Sequence, residues 1–581
     1  RQTTRPLHDC LRMADKQAPN AAFLIAPKAP LDLWWLFGLA LLLLGVGYGL
    51  RDPWPADEPR FALIGRDIWE SGRWFLPHRG PELYAEKPPV FLWLQALAYG
   101  LTGSVRASFL LPSMLAALGT LVLHFDLARR LWSRKAAFWS SLALLLCVQF
   151  TLQGRTAQID AVLAFCTTLG LYGLLRHLLL GPAWGWYVIG GIATGVGVIT
   201  KGTGFLPWLL MIPYVFARWR QWPGLPRFEG GWRWALGPLG MLLPILLWLL
   251  PLLWMSINAP TAELLAYRDD LLLRQTVTRY ANAWHHHKPF WYFVVDVIPV
   301  FWLPFSLLAV WAAPAWRRRL QRSDARILLP LAWIALVVLF FSLSPGKRHV
   351  YILPALPALA LAFTPLLPGL LRRLAVQRAG AIVTLLLGLV IAGAAATALF
   401  GRPGFAVKVE TDNGVAPWDW LLAVGMVGIV VSLMLWRRGW AAFGLFMLAV
   451  WSGYGLFGFP QMTDARSGKA LMQRVAKQQP AEVSLGLVGV PEQLLLQAQG
   501  DVRAFGFKRP LEEQKALAYA WLKENPTHWL LMSRIALDAC IEREWILDVG
   551  ISNRRHWFLI PPLAVDVSCI DAEGYRAATS P

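Results

Sequence analysis

Five short stretches carry side chains able to handle a charged substrate. WPADEPRFA (Trp54–Ala62) groups Asp57, Glu58 and Arg60, and YAEKPP (Tyr84–Pro89) brings Glu86 and Lys87. QGRTAQIDA (Gln153–Ala161) holds Arg155 and Asp160, ITKGTG (Ile199–Gly204) holds Lys201, and SPGKRHVY (Ser344–Tyr351) holds Lys347, Arg348 and Tyr351. Arg60, Lys87, Lys201, Lys347 and Arg348 form a cationic set suited to a phosphate or pyrophosphate. Asp57 and Asp160 are of the type that serves as general base or holds a cation-bearing substrate. Pro88 and Pro89 keep helix from starting until just past Lys87, which leaves Glu86 and Lys87 extended. Trp54, Trp74, Tyr84, Trp284 and the run Phe290–Phe293 interleave these stretches and suit either a sugar face or a membrane interface.

Taken singly, each feature has an ordinary explanation. Loop acids are commonly just solvated, lysines and arginines near helix ends snorkel to headgroups, and acids such as Asp57 and Glu58 opening a helix favour its dipole. The run HHHK (His285–Lys288) reads as a solvated loop, since three consecutive histidines cannot converge on one ion from a regular helix or strand. What gives the set weight is the architecture that would hold it.

That architecture is a membrane one. Of 581 residues 56% are hydrophobic and only 15% charged, with a mean hydropathy of +0.46. Apolar runs at about 32–50, 106–128, 136–152, 158–180, 184–200, 203–218, 234–256, 290–313, 327–344, 350–368, 379–400, 418–436 and 440–459 give roughly thirteen spans. The net charge of +20 would suggest nucleic acid in a soluble domain; here it suits the cytoplasmic loops, which retain Lys and Arg, and no nucleic-acid partner is expected. The stretch from Lys87 to Gly103 is short enough to lie in the interface. With it non-spanning and the N-terminus cytoplasmic, the basic loops following Ala128, Arg218, Trp316, Leu371 and Trp436 all fall inside. The first span follows a basic leader without a cleavage pattern and is expected to remain as an anchor.

An odd span count places the tail beyond about residue 460 outside. EVSLGLVGV (Glu482–Val490), WLLMS (Trp529–Ser533) and WFLI (Trp557–Ile560) read as strands, and ALAYAWLKEN (Ala516–Asn525) as a helix ended by Pro526, enough for a small α/β domain. The expected division is therefore a membrane domain over residues 1–460 and a soluble domain over 461–581. Cys147 and Cys166 read as core hydrophobes. Cys540 and Cys569 lie where a disulfide is permitted, with two free thiols the equal alternative.

With this topology the unusual polar residues all fall on the outer side, at the depth of lipid headgroups. They include the fourth outer loop, Tyr267–Phe293. A transporter would more typically carry ionisable groups near the midplane on broken helices, often in repeated halves. Such a lipid transporter or flippase stands as the reading from another class.

In order and spacing, DEPRFA from Asp57, Pro77-His78, EKP from Glu86, TKG from Thr200, PFWYF from Pro289 and GKRHVYILP (Gly346–Pro354) resemble the GT-C glycosyltransferases. The closest likeness is to the bacterial 4-amino-4-deoxy-L-arabinose transferases of lipid A, relatives of the protein O-mannosyltransferases. It covers about residues 32–460, and the small outer domain fits it too. The resemblance implies a multi-pass enzyme of the bacterial inner membrane, with the C-terminal domain periplasmic. It would move aminoarabinose from undecaprenyl phosphate to a lipid A phosphate, a lipopolysaccharide modification tied to resistance to polymyxin and cationic peptides. Carried over by position, Asp57 would be the principal catalytic carboxylate and Asp160 a second one. Arg60, Lys87, Lys201, Lys347 and Tyr351 would hold the donor phosphate, and no cofactor would be obligatory. Glu86 and His286 would be the ligands if a divalent ion is bound. Two departures stand out: Phe61 replaces a usual Tyr, and Gln275-Thr276 replace a Glu-His pair while Arg279 is kept.

The implied reaction is direct displacement at the anomeric carbon with undecaprenyl phosphate leaving. An acceptor phosphate monoester is largely deprotonated at neutral pH, its second pKa being about 6, so it needs little help from a base. A well-placed Asp57 would on that ground favour a hydroxyl acceptor, as in protein O-mannosylation, which stands as the runner-up. The alternative role for Asp57 is to orient the acceptor or the donor's amino group.

Overall fold

The structure, a computed structural model, describes residues 31–226, 229–272 and 287–566. Trp284, Gln275-Thr276, Arg279 and His286 lie outside these residues, as do Cys10 and Cys569.

Every apolar run in the expected list is helical over much of its length. Six helices are long and apolar enough to cross a membrane, Val105–Leu131, Ile159–Leu180, Gly231–Asn258, Ala325–Leu343, Leu374–Gly401 and Trp436–Arg466. Two more candidates are bent pairs, Arg134–Leu145 with Val148–Gly154 at 69° and Phe293–Phe301 with Phe305–Gln321 at 106°. This makes the chain a multi-pass membrane protein, with fewer uninterrupted spans than the thirteen expected. The difference lies partly in breaks, the run at 350–368 being divided into His349–Ile352, Ala355–Phe363 and Leu367–Leu370 with Pro354 and Pro365 between the pieces, and partly in length, Leu33–Gly45 and Trp418–Met434 being apolar but shorter. Helices such as Gly231–Asn258 leave leucines exposed along their length, Leu247 at 66% among them, as lipid-facing helices do.

Lys87–Gly103 forms a helix, Val90–Thr102, of 13 residues, short for a crossing. It packs on the helix Glu58–Ser71 through two glycines. A Cβ at Gly65 would come within 2.6 Å of Gln95, and one at Gly100 within 2.4 Å of Trp69. The site segment Glu58–Arg60 is thereby fixed to a helix lying beside it.

Beyond the last apolar helix, a five-stranded mixed sheet runs in the order β4-β3-β5-β7-β6. Its strands are β3 (Leu485–Val488), β4 (Val502–Ala504), β5 (Trp529–Ser533), β6 (Leu547–Ser552) and β7 (Arg555–Ile560). The three expected strands are β3, β5 and β7, and the expected helix runs Leu511–Glu524, with Asn525 and Pro526 following. A short hairpin, β1 (His78–Arg79) with β2 (Glu82–Leu83), reaches the sheet from the segment between the helices Glu58–Ser71 and Val90–Thr102. Glu82 accepts from the backbone N–H of Phe507 at 3.0 Å and of Lys508 at 3.3 Å. Gly506 (φ 116°) makes that contact possible, because a Cβ there would stand 2.6 Å from the Glu82 carboxylate. Cys147 and Cys166 are buried free thiols, and Cys540 is disulfide-bonded.

Candidate functional site

Elements far apart in sequence bring the charged motifs together at their ends. Ile159–Leu180 and Trp184–Lys201 are packed neighbours. Asp160 lies in the first turn of one helix and Lys201 is the last residue of the other, and each charge suits its helix terminus. Gly202 (φ 78°) ends the second helix in a left-handed cap, its N–H bonded to the Val198 carbonyl. That cap is why a glycine follows Thr-Lys. Lys201 and Asp160 form an ion pair, and the Lys201 ammonium sits 4.5 Å from the centre of the Tyr351 ring.

Tyr351 belongs to a short helical turn, His349–Ile352, preceded by Arg348. Arg348 donates to Asp57 Oδ2 at 3.2 and 3.3 Å, closing a contact across 291 positions. Burial alone would lower the Arg348 pKa, but Asp57 and then Asp160 raise it overall, so the two carboxylates share one guanidinium field. Lys347 is buried and donates to the Lys288 carbonyl at 2.9 Å, and burial lowers its pKa. The loop Ser344–Arg348 is strapped to the segment preceding the helix Ile298–Phe301 by a bridge between His287 and Gly346.

Asp57 stands at the start of the Glu58–Ser71 helix, 3.7 Å from Arg60 Nη1. Arg60 in turn lies 3.8 Å from Glu86, and its Nε donates to Glu492 at 2.7 Å. Burial would lower the Arg60 pKa, but Glu492, Tyr84 and Glu86 together outweigh it and the pKa is raised. Lys87 donates to the Glu86 carbonyl at 3.1 Å. Tyr84 is buried, its hydroxyl has no hydrogen-bond partner among the described residues, and burial followed by Glu86 raises its pKa. Arg60 lies close enough to act on the Tyr84 oxygen, so what is unmet among the described residues is an acceptor for its O–H.

Several expectations change. Glu58 is not a solvated helix-opening acid. It is buried, paired with Arg51, and accepts from the N–H groups of Trp54 at 2.9 Å and Ala157 at 3.0 Å. Arg155 is a buried strut rather than a loop cation, donating to the carbonyls of Leu43, Val46 and Trp451. Trp54 is packed against Tyr454 and Phe459 and offers no sugar platform. Glu86 faces Arg60 at 3.8 Å and Arg79 at 3.7 Å, cations that compete with a divalent ion for its carboxylate, and His286, the other expected ligand, lies outside the described residues. Among the described residues no three His, Cys, Asp or Glu side chains converge on one point, and we derive no step through a metal.

Two residues central to the geometry carry no local signal in the sequence. Arg79 is buried in β1, 3.4 Å from both Glu82 and Glu492, with the Phe507 ring 4.9 Å away. Glu492 opens the short helix Glu492–Gln497 of the C-terminal region, 432 positions from Arg60 in sequence.

The chain matches the family described as dolichyl-phosphate-mannose-protein mannosyltransferase over residues 86–248. It is 30% identical over 427 residues to the undecaprenyl phosphate-alpha-4-amino-4-deoxy-L-arabinose arabinosyl transferase of Pseudomonas aeruginosa, an alignment covering 70% of this chain and 71% of that one. Against the enzyme of that name from Aeromonas hydrophila the identity is 30% over 441 residues, 72% of each chain. ArnT from Cupriavidus metallidurans bound to undecaprenyl phosphate has a similar fold, with a TM-score of 0.72 at 22% identity over 94% of this chain and all of that one. Its apo form gives 0.70 at 21% identity, over 93% and 98%. On the identity and reach of the Pseudomonas and Aeromonas alignments, this chain belongs to the family of undecaprenyl phosphate-α-4-amino-4-deoxy-L-arabinose arabinosyl transferases.

Proposed function

We propose that the protein transfers 4-amino-4-deoxy-L-arabinose from undecaprenyl phosphate to a phosphate of lipid A at the periplasmic face of the bacterial inner membrane. In this reading the N-terminus is cytoplasmic, residues 1–460 form the membrane domain with about thirteen crossings, and residues 461–581 form a periplasmic α/β domain. The observation that carries it is the meeting of Asp57, Arg348, Asp160, Lys201 and Tyr351 at the ends of apolar helices. In this reading the cluster stands at headgroup depth, where the reactive groups of both lipid substrates emerge.

An oxygen of the acceptor phosphate attacks the anomeric carbon. The bond from that carbon to the undecaprenyl phosphate oxygen breaks, and its electron pair leaves with the lipid phosphate. The donor phosphodiester carries one negative charge and the departing monoester gains a second. Arg60, Lys87, Lys201 and Lys347 stabilise this growing charge, commonly the largest electrostatic contribution in such reactions. The Tyr84 hydroxyl, without a partner otherwise, donates to a donor oxygen. Asp57, flanked by Arg60 and Arg348, acts as a fixed negative anchor for the sugar's ammonium group, with Asp160 beside it. That answers the weak need of a phosphate acceptor for a base.

The test is reconstitution with undecaprenyl-phosphate-aminoarabinose and lipid A, read by mass spectrometry as the gain of one aminoarabinose. Transfer should disappear in Asp57→Ala and Lys87→Ala. If Asp57→Asn kept most of the activity, the charge role of Asp57 would be wrong. The match to the mannosyltransferase family favours a second reading, transfer to a protein hydroxyl, which would show as donor consumption with a Ser/Thr-rich peptide and none with lipid A.

A further inference from the structure

A cavity of about 360 Å³ lies outside the cleft, between the helix Gly404–Asn413 and one end of the C-terminal sheet. Arg534, Arg554 and Arg555 line it, together with Ser533 and His556. None of these three arginines has an ion-pair partner among the described residues, whereas the arginines of the cleft, Arg60 and Arg348, do. His556 is held by Asp548 at 2.7 Å, and the acid on the opposite wall is Asp412. The lining therefore carries three guanidiniums against one unpaired carboxylate.

Two further features mark the site. Ser533 is 1% exposed and its hydroxyl has no hydrogen-bond partner among the described residues, so an unpaired polar group lies buried at the base of the arginine cluster. Arg554 occupies the second position of a two-residue hairpin turn, with Asn553 at φ 48° and Arg554 at φ 64°. Such turns favour Asn-Gly because both central residues are left-handed. An arginine there is held in a strained backbone, and strain at a non-glycine residue commonly marks function.

The surroundings say what kind of ligand. The helix Gly404–Asn413 connects two apolar helices, Leu374–Gly401 and Trp418–Met434. The hairpin turn rests on the end of the last apolar stretch, Asn553 N–H donating to the Ala465 carbonyl at 2.8 Å. Exposed Ile535 and Ile551 complete the lining. Cations with apolar neighbours at the ends of membrane helices suit a phosphate that carries acyl chains. We propose that this cavity is a second phosphoryl-binding site, which takes the phosphate of an anionic lipid headgroup at the membrane surface, apart from the cleft that holds the donor.

The test uses the full-length protein in the Lys87→Ala background, so that the donor cleft contributes little. In nanodiscs of phosphatidylcholine with a minor fraction of phosphatidate, native mass spectrometry counts the phosphatidate retained on the protein. Arg534→Ala and Arg554→Gly should each weaken retention about tenfold or more, the scale of one charge-assisted hydrogen bond, while Arg554→Lys keeps most of it. Arg554→Gly should melt no lower than the parent, since glycine accepts the left-handed turn, which separates lost binding from lost folding. Unchanged retention in the Arg534→Ala/Arg554→Gly double variant would overturn the site. Displacement of phosphatidate by inorganic phosphate at equal concentration would overturn the lipid as its ligand. Neither outcome depends on sugar transfer.

Discussion

Removing the Glu492 side chain should slow transfer, although the residue belongs to the C-terminal region. Its Oε1 accepts from Arg60 Nε at 2.7 Å and from Arg79 Nη1 at 3.4 Å. The Arg60 side chain is 21% exposed and that of Glu492 12%, so the pair is only partly wetted. Unit charges about 4 Å apart attract by roughly 4 kcal/mol at the effective dielectric of such a site. Desolvation offsets much of this, leaving about 1.5–3 kcal/mol for a hydrogen bond to a charged group. Glu492 holds the Nε edge of Arg60, while Nη1 lies within 4 Å of Asp57 and Glu86, toward the cleft. If that orientation matters in the transition state, Glu492→Ala lowers kcat/KM by about 10- to 150-fold. Glu492→Gln, which keeps an acceptor, should lose less. Initial rates in proteoliposomes at varied donor concentration, with Arg60→Ala as partner, complete a double-mutant cycle. The expected result is strong coupling, with the double variant no slower than Arg60→Ala alone. Effects that simply multiply, together with a lower melting temperature and an unchanged donor KM, would refute the reasoning and leave Glu492 as a strut between the two regions.

Other consequences follow from the same geometry. Burial holds the Lys347 pKa below the ordinary lysine value. Between that lowered pKa and about 10.4 the unfolded chain keeps a proton the folded chain has released, so this residue makes stability rise with pH across that window. Activity moves the other way: the phosphate loses a cation, and kcat/KM should fall on an alkaline limb that Lys347→Arg displaces to higher pH; a limb unmoved in that variant excludes Lys347. Glu58→Ala leaves Arg51 buried without its carboxylate and should cost about 3–5 kcal/mol of stability, read as a large drop in melting temperature with Glu58→Gln intermediate; a shift of a degree or two would contradict the buried pair. At Gly202 nothing lies within 4 Å of where a Cβ would sit, yet φ is 78°. Gly202→Ala should therefore cost about 1–2 kcal/mol through the backbone alone and raise the donor KM as Lys201 shifts from Asp160. An unchanged donor KM would mean that the cap does not place Lys201.

What could be read in advance divides along a physical line. Apolar length marks a helix wherever it folds, so the apolar runs were legible as helices, though not which of them cross unbroken, and so were β3, β5 and β7 with their continuous hydrophobic stretches. β4 was not, being three residues with an arginine at its centre, nor was β6, an edge strand with an irregularity between Asp548 and Gly550. In the site, residue type and order along the chain drew attention to Asp57, Arg60, Asp160, Lys201 and Arg348, but not to which of them would pair or to Glu492. Nothing near Arg348 announces Asp57, and nothing near Pro491-Glu492 announces Arg60, because these pairings exist only after the chain has closed on itself. The same limit misread Arg155 and Glu58. A charged residue at a helix end looks solvated in sequence until a second helix end is laid over it.

The pairing itself bears on how the enzyme works. Arg60, Lys201 and Arg348 each have a carboxylate partner, Glu492, Asp160 and Asp57 respectively. A cleft of bare cations would bind any phosphate tightly, the spent undecaprenyl phosphate included, and release of product would then limit turnover. Counter-ions already in place make phosphate binding an exchange, in which each new contact is offset by loosening one that existed. The exchange is uneven in a useful direction. A donor carrying both a phosphate and an ammonium can satisfy the cations and the carboxylates together, whereas the product, a phosphate without its aminosugar, satisfies only the cations and leaves Asp57 and Asp160 to compete for them. In the proposed reading, discrimination between substrate and spent carrier comes from the acids as much as from the bases, because the leaving lipid would vacate cations that Asp57 and Asp160 already hold.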